Sequence, residues 1–179
     1  KERGYLTELY YFALSFFVYG FLGWCTEVAY AAAKHGKFVN RGFSTGPFCL
    51  VYGIAAVFMA VTMEELMAEP VFQLIGCGVL ATIIEWMAGK ILERLNQHKW
   101  WDYSNKKWNF DGYICLQYSV LWAVLGFVAV RYGDAFFLIV YHMIPTLIRE
   151  ILLWIFLHRW QQYFISGKRC RLQSGGIRK

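Results

Sequence analysis

Apolar positions along the chain fall into five long runs, which short polar segments separate. The runs cover about residues 9–33, 46–63, 71–92, 112–130 and 135–157. Most of them approach or exceed the roughly 20 apolar residues with which a helix crosses a bilayer core. The pattern predicts an all-α integral membrane protein with five transmembrane helices. They form one bundle over about residues 1–160, and a basic tail follows over 161–179.

Composition agrees with this interpretation. Of the 179 residues, 58% are hydrophobic and 20% are aromatic, which is more apolar surface than a soluble domain of this length can bury. The net charge of +6 is spread over segments beside the apolar runs. We therefore expect the lipid bilayer, with its charged headgroups, as the partner of this charge and expect no nucleic acid.

One sequence pattern occurs twice. The pattern G-x-x-x-E followed by G-x-x-C-L-x-Y begins at Gly23 and Gly46, and again 66 residues later at Gly89 and Gly112. Six positions are identical, and four of them fall within seven residues. We interpret this as an internal duplication, with repeats over about 9–63 and 71–130 and the fifth helix over about 135–157.

Lys and Arg are distributed unevenly between the two sides of the predicted helices. Thirteen belong to residues 34–45, 94–111 and the C-terminal tail, whereas three belong to the N-terminus and the remaining loops. Because positive loops stay in the cytoplasm, the topology predicted is N-terminus out and C-terminus in. Both repeats are then parallel, and such duplicated bundles often bind solutes at the repeat interface.

Three charged residues lie well inside apolar runs: Glu85, Arg149 and Glu150. Each costs several kcal/mol if it remains unpaired in lipid, so each is expected to face the bundle interior. The first pair predicted is Glu85 with Arg149. Such a pair could serve a proton or ion relay, line a headgroup-binding cavity, or only fix the register of two helices. His142 shares a helical face with Arg149 and belongs to a relay or to a buried hydrogen bond.

The two repeats each carry a glutamate near the cytoplasmic end of a long helix, Glu27 in the first and Glu93 in the second. A symmetric carboxylate pair can hold a cation or act as general acid and base. The simpler interpretation, which we favour for each residue taken singly, is that each glutamate pairs with a Lys or Arg of a loop.

Polar and aromatic residues of the two cytoplasmic loops are the predicted substrate-binding set, because Arg, amides and helix N-termini together favour anions such as phosphate. The set is Asn40, Arg41, Trp101, Asp102, Tyr103 and Asn109. The alternative is an aromatic belt at the level of the headgroups, formed by Trp100, Trp101 and Tyr103.

The sequence lacks the motifs of metal sites, of serine hydrolases and of phosphate-binding loops. No histidine pair has metal-ligand spacing, no G-x-S-x-G elbow is present, and no phosphate-binding loop of the Walker type is present. We expect no metal and no cofactor, and any ATP hydrolysis would come from a separate cytoplasmic ATPase subunit.

Four segments together resemble a known family. The chain is similar to the bacterial Putative ABC-transporter type IV family of CmpB-like permeases, through Gly23-Trp24-x-x-Glu27, the stretch from Asn40 to Cys49 with Tyr52-Gly53, Trp100-Trp101-Asp102-Tyr103-Ser104, and Gly112-Tyr113-Ile114-Cys115-Leu116. It departs from the family pattern at Leu50, where a proline often follows the cysteine. The resemblance covers about residues 10–160 and implies a permease-like component of the bacterial inner membrane.

The function expected is transport of a small or lipid-like anionic solute, bound near the cytoplasmic side between the two repeats. A chain this small would need a second copy or a partner subunit to form a path, so we expect a homo-oligomer. Two alternatives remain open: a membrane-embedded enzyme that acts on a lipid headgroup, and a structural or regulatory subunit without catalysis.

Overall fold

The computed structural model describes the backbone of residues 2–40, 46–97 and 99–175. Side chains are described from residue 7 to residue 162, apart from residues 35, 41–45, 96 and 98. Contacts divide the chain into two compact units. Unit 1 comprises Lys1–Gly53 with Val140–Lys179, and unit 2 comprises Ile54–Ile139.

Helices form most of the described chain, as predicted. They are α1 Glu2–His35, α2 Leu50–Met63, α3 Pro70–Asn96, α4 Leu116–Val128, α5 Ala135–Met143 and α6 Thr146–Gly175. A 3-10 helix, Glu64–Leu66, follows α2, and a π-helical segment, Ala129–Asp134, joins α4 to α5. Strands β1 Asn109–Phe110 and β2 Ile114–Cys115 form an antiparallel hairpin between α3 and α4.

Three stretches are long and apolar enough to cross a membrane: Thr7–Lys34, Pro70–Leu95 and Leu116–Met143. The five crossings and the internal duplication stay predictions. With 14 residues, α2 rises only about 21 Å, which is less than the roughly 30 Å of a bilayer core. The final helix α6 is helical through Gly175, so most of the predicted basic tail continues this helix.

Two helices begin later than predicted. The second begins at Leu50 rather than at Gly46-Pro47, because the backbone N–H of Cys49 first donates to the carbonyl of Gly20 on α1 at 2.9 Å. The fourth begins at Leu116 rather than at Gly112, because Gly112 has a φ of 72° and belongs to the turn of the hairpin. A tertiary contact therefore delays the start of α2, and a local turn delays the start of α4.

Residues 131–134 are polar and lie between two apolar runs, which predicts a short turn, but this prediction is wrong, since the chain is π-helical there. Arg131 lies in this segment, and its guanidinium donates to the carbonyl of Met67 at 3.0 Å and to the amide oxygen of Gln73 at 3.2 Å. Arg131 thus has two hydrogen-bond acceptors within unit 2 while the chain around it stays helical. The break comes instead at Pro145. A proline inside a helix lacks an N–H and predicts a kink there, and the structure has a full interruption between α5 and α6.

In unit 1 the end of α5 and the C-terminal helix α6 follow α1 in the same direction. The hydroxyl of Tyr141 donates to the carbonyl of Thr7 at 3.0 Å, and ten residues further along α1 the ring of Phe17 stacks on Phe156 at 5.3 Å. The Phe17 side chain is buried. These contacts make α1 the packing surface for the last helix.

In unit 2 glycines bring α3 and α4 into close contact. A Cβ atom at Gly78 would lie 2.9 Å from the Cβ of Ala123, and one at Gly126 would lie 3.3 Å from the Cβ of Cys77. Small residues at a helix interface permit this approach. A core of Met59, Met63, Cys77 and Val130 fills the interior of the unit.

Candidate functional site

The first G-x-x-x-E motif binds a tyrosine in unit 1. Gly23 and Glu27 lie one turn apart on the same face of α1. The ring of Tyr52 covers Gly23 so closely that a Cβ there would overlap it, and its hydroxyl donates to Oε1 of Glu27 at 2.8 Å. The neighbouring Trp24 donates its indole N–H to the side-chain oxygen of Asn40 at 2.7 Å. Both polar residues predicted here therefore have partners within the unit.

The second motif makes the same kind of contact in unit 2. The ring of Tyr113 lies on Gly89, where a Cβ would be 2.6 Å from Cδ1 of the ring. The hydroxyl of Tyr113 donates to Oε2 of Glu93, one helical turn further along α3. The indole N–H of Trp101 donates to the backbone carbonyl of Tyr113 at 2.8 Å, which fixes the tyrosine from the other side. The glutamate is thus held by a hydroxyl, and the predicted pair of Glu27 with Glu93 stays a prediction.

The hairpin turn requires glycine for two reasons. Asp111 and Gly112 have φ values of 59° and 72°, and the N–H of Tyr113 donates to the carbonyl of Phe110, which is the pattern of a type I′ turn. A Cβ at Gly112 would also lie within 2.9 Å of polar atoms of Lys99, Asp102 and Ser104. The turn therefore brings charged side chains of the loop together on α3.

Two lysines flank the ring of Tyr113. The ammonium of Lys90 lies 5.0 Å from the ring centroid and 2.5 Å from Oδ2 of Asp111. The ammonium of Lys99 lies 4.5 Å from the centroid, 3.3 Å from the backbone carbonyl of Asp111 and 3.9 Å from Oδ1 of Asp102. We call these five residues the lysine cluster. Its four charged side chains are 28–54% exposed, so solvent reaches all of them.

Both aspartates of the lysine cluster are held in the charged form. Hydrogen bonds from the hydroxyl and the backbone N–H of Ser104 lower the pKa of Asp102, and nearby Lys99 lowers it further. The hydrogen bond from Lys90 lowers the pKa of Asp111. The cluster therefore carries two positive and two negative charges at neutral pH.

Closer to the N-terminus of α3 than the lysine cluster, the buried carboxylate of Glu85 interrupts the apolar side chains of this helix. Oε1 of Glu85 accepts from the hydroxyl of Tyr103 at 3.3 Å and from the indole N–H of Trp122 at 3.1 Å. The Tyr103 ring stacks on Tyr118 with 4.6 Å between centroids. The polar and aromatic loop thus reaches along α3 to a residue within one of the apolar stretches.

Arg149 makes its described contacts within unit 1. Its guanidinium lies 4.3 Å from the ring centroid of Tyr141 and donates to the hydroxyl of Thr146 at 3.0 Å. His142 is exposed, and Glu150 is half-buried. The predicted pair of Glu85 with Arg149 stays a prediction.

The predicted substrate-binding residues have different environments. Arg41 lies outside the described residues. Asn109 donates to the carbonyls of Ser104 and Lys106, so its amide holds the loop together. Trp101 and Tyr103 bond inward, whereas Asn40 and Asp102 are exposed.

Sequence reasoning missed Lys90, Lys99 and the tyrosines that hold the glutamates, Tyr52 and Tyr113. A charge inside an apolar run, directly after Gly89, was the available signal for Lys90. Among the described side chains, no three of the types His, Cys, Asp and Glu group closely enough to hold a metal ion. The expectations of no metal and no cofactor stay predictions.

Comparison with known families decides the relationship that the motifs indicate. The family described as Putative ABC-transporter type IV matches residues 14–162. The chain belongs to this family. Together with the three apolar helices, membership identifies an ABC-transporter-related membrane protein. No curated protein and no solved structure matches the chain.

Proposed function

We propose that this ABC-transporter-related protein is a permease-type subunit of the bacterial inner membrane, which binds a small or lipid-like anionic solute on its cytoplasmic side. The lysine cluster is the proposed binding site. The observation that carries the proposal is the position of Lys99, whose ammonium faces an aromatic ring and a carbonyl and lies 3.9 Å from the carboxylate oxygen of Asp102.

At the lysine cluster, a bound anion can replace an aspartate of the protein at little cost in free energy. Exposed ion pairs contribute about 0–1 kcal/mol, so an incoming phosphate or carboxylate can replace Asp102 beside Lys99 at little cost. The bonds from Ser104 keep Asp102 satisfied when Lys99 turns away. Lys90, which is bound at 2.5 Å by Asp111, adds a second positive charge on the other side of Tyr113.

Surrounding charges favour an anion over a cation. Arg94, Lys106 and Lys107 are exposed in the same region of unit 2. By the positive-inside rule, their excess supports a cytoplasmic position for this loop. Because the sequence carries no motif for ATP hydrolysis, we propose that energy comes from a cytoplasmic ATPase subunit and that a second copy of the chain completes the path.

The direct test is a purification in mild detergent, followed by native mass spectrometry of the protein with its bound molecules. We expect a phosphorylated or carboxylated compound on the unmodified protein. Lys99→Met should lose most of it, whereas Arg94→Met, which removes an equal charge from an exposed position of the same region outside the cluster, should retain it. Equal retention by both variants, or no anionic compound at all, would refute the proposed site.

Protein partners in the same purification test the transport assignment. A stoichiometric ATPase supports a permease subunit. A bound lipid that is chemically converted during incubation would instead favour an enzyme acting on the headgroup. Loss of a non-ATPase complex after loop substitutions, with no change in bound compounds, would favour a structural or regulatory subunit.

A further inference from the structure

A second surface of the loop presents aromatic and basic side chains outward. Trp108 is 79% exposed and Phe110 is 64% exposed, and the two lysines that precede them are exposed as well. We call Lys106, Lys107, Trp108 and Phe110 the hairpin face. None of these residues belongs to the lysine cluster.

The backbone holds the hairpin face in this position. The thiol of Cys115 bonds to the carbonyl of Lys107 at 3.3 Å, and the side chain of Asn109 donates to the carbonyl of Lys106 at 2.7 Å. Trp108 has a φ of 60°, a conformation that costs energy for an aromatic residue. A large indole is therefore fixed in an exposed position, which is unfavourable in water.

The hairpin face continues the apolar surface of a candidate span. The N–H of Leu116, the first residue of the stretch Leu116–Met143, donates to the carbonyl of Trp108 at 3.1 Å. Leu116 and Val120 are 55% and 57% exposed on this helix. The backbone of Trp108 thus adjoins the first residue of a helix that is long and apolar enough to cross a membrane, and Trp side chains are enriched at the ends of such helices.

We propose that the hairpin face is a binding surface for anionic phospholipids of the surrounding bilayer. Trp108 and Phe110 enter the boundary between headgroups and acyl chains, and Lys106 and Lys107 contact the phosphates. Charge complementarity favours this partner, because the two lysines lie next to the aromatic residues. Lysines near an anionic surface attract it by an amount that corresponds to roughly a fivefold preference each.

The test uses the full chain in nanodiscs of POPC and POPG, with bromine on the acyl chains of one lipid at a time. Bromine quenches only indoles in contact with that lipid, and the Trp108→Phe variant isolates the contribution of Trp108. We expect its fluorescence to be quenched by brominated lipid and protected from aqueous acrylamide. Brominated POPG should quench it several times more strongly than brominated POPC at equal amounts.

Two variants serve as controls. Trp100→Phe removes an indole of the same loop whose N–H is shielded from solvent, and it should leave the quenching by either lipid unchanged. Lys106→Gln with Lys107→Gln should make the two lipids equally effective. If acrylamide quenches Trp108 whichever of the two lipids is brominated, the hairpin face is open to water and available to a soluble protein. The proposal is then wrong. Equal quenching by both lipids in the unmodified protein would overturn the preference for anionic lipid.

Discussion

Replacement of Gly89 by alanine tests whether the glycine of the second G-x-x-x-E motif exists to receive Tyr113. The new Cβ would lie 2.6 Å and 3.2 Å from two ring atoms of Tyr113, and 3.3 Å from the Trp101 ring. Tyr113 has little freedom to withdraw, because Trp101 holds its backbone carbonyl and Glu93 holds its hydroxyl. The ring must therefore leave or be compressed.

The expected cost follows from three contributions. Overpacking costs about 1–3 kcal/mol, and loss of a hydrogen bond to a charged group costs about 1.5–3 kcal/mol. Alanine recovers about 1 kcal/mol, because it is the better helix former. We expect Gly89→Ala to lower the free energy of unfolding by about 2–4 kcal/mol, as measured by circular dichroism during titration of detergent micelles with SDS.

Gly76→Ala is the matched control in the same helix. Its Cβ would meet the sulfur of Met63 at 2.7 Å, but a flexible methionine can move, so we expect a change within about 1 kcal/mol. In a Tyr113→Ala background, Gly89→Ala should become neutral or stabilising, because the obstruction is gone. Similar effects at Gly76 and Gly89, or a penalty at Gly89 that persists without the Tyr113 ring, would refute the reasoning.

Three further substitutions test the polar contacts of unit 2 by unfolding in detergent. Asp111→Asn keeps the positive φ of the turn but loses the ion pair with Lys90. Because the pKa of Asp111 is lowered from 3.8, its stabilisation is present above that pH and is lost as the pH falls through the folded value, so the variant should lose less stability between pH 5 and pH 3 than the unmodified protein. Arg131→Met removes both guanidinium bonds and should cost about 1–2 kcal/mol, whereas Arg94→Gln on the exposed surface should stay within about 0.5 kcal/mol. Glu85→Gln keeps a carbonyl acceptor for its two donors and should cost about 1–2 kcal/mol less than Glu85→Leu; equal costs would show that those bonds do not hold the carboxylate.

The helical class follows from the sequence, because apolar runs of this length have few alternatives to helix in lipid. The break at Pro145 also follows, since proline has no N–H to donate. The turn at residues 131–134 does not occur, although Arg131, Gly133 and Asp134 have turn-forming composition. The guanidinium bonds of Arg131 come from residues about 60 positions earlier, and no local pattern contains that information.

Only part of the candidate site follows from the sequence. The motifs point to the loop before α4, whose role in binding stays a prediction, and Glu85 is buried. Which loop side chains turn inward depends on how the hairpin folds onto α3. Trp101 and Tyr103 look like a membrane belt in the sequence, yet both bond within unit 2, and the outward aromatic residues are Trp108 and Phe110.

The two G-x-x-x-E motifs show why a sequence repeat and a structural contact need not coincide. By the 66-residue offset the mate of Tyr52 is Tyr118, yet Tyr118 stacks on Tyr103, and Tyr113 takes the place on Gly89. A glycine leaves space for a flat ring, and a glutamate one turn later is an acceptor for the hydroxyl of that ring. Any tyrosine that the loop brings within reach can fill the space and make the hydrogen bond. The requirement is thus a local one of shape and hydrogen bonding, which explains how tyrosines at non-equivalent positions make the same contact in each unit.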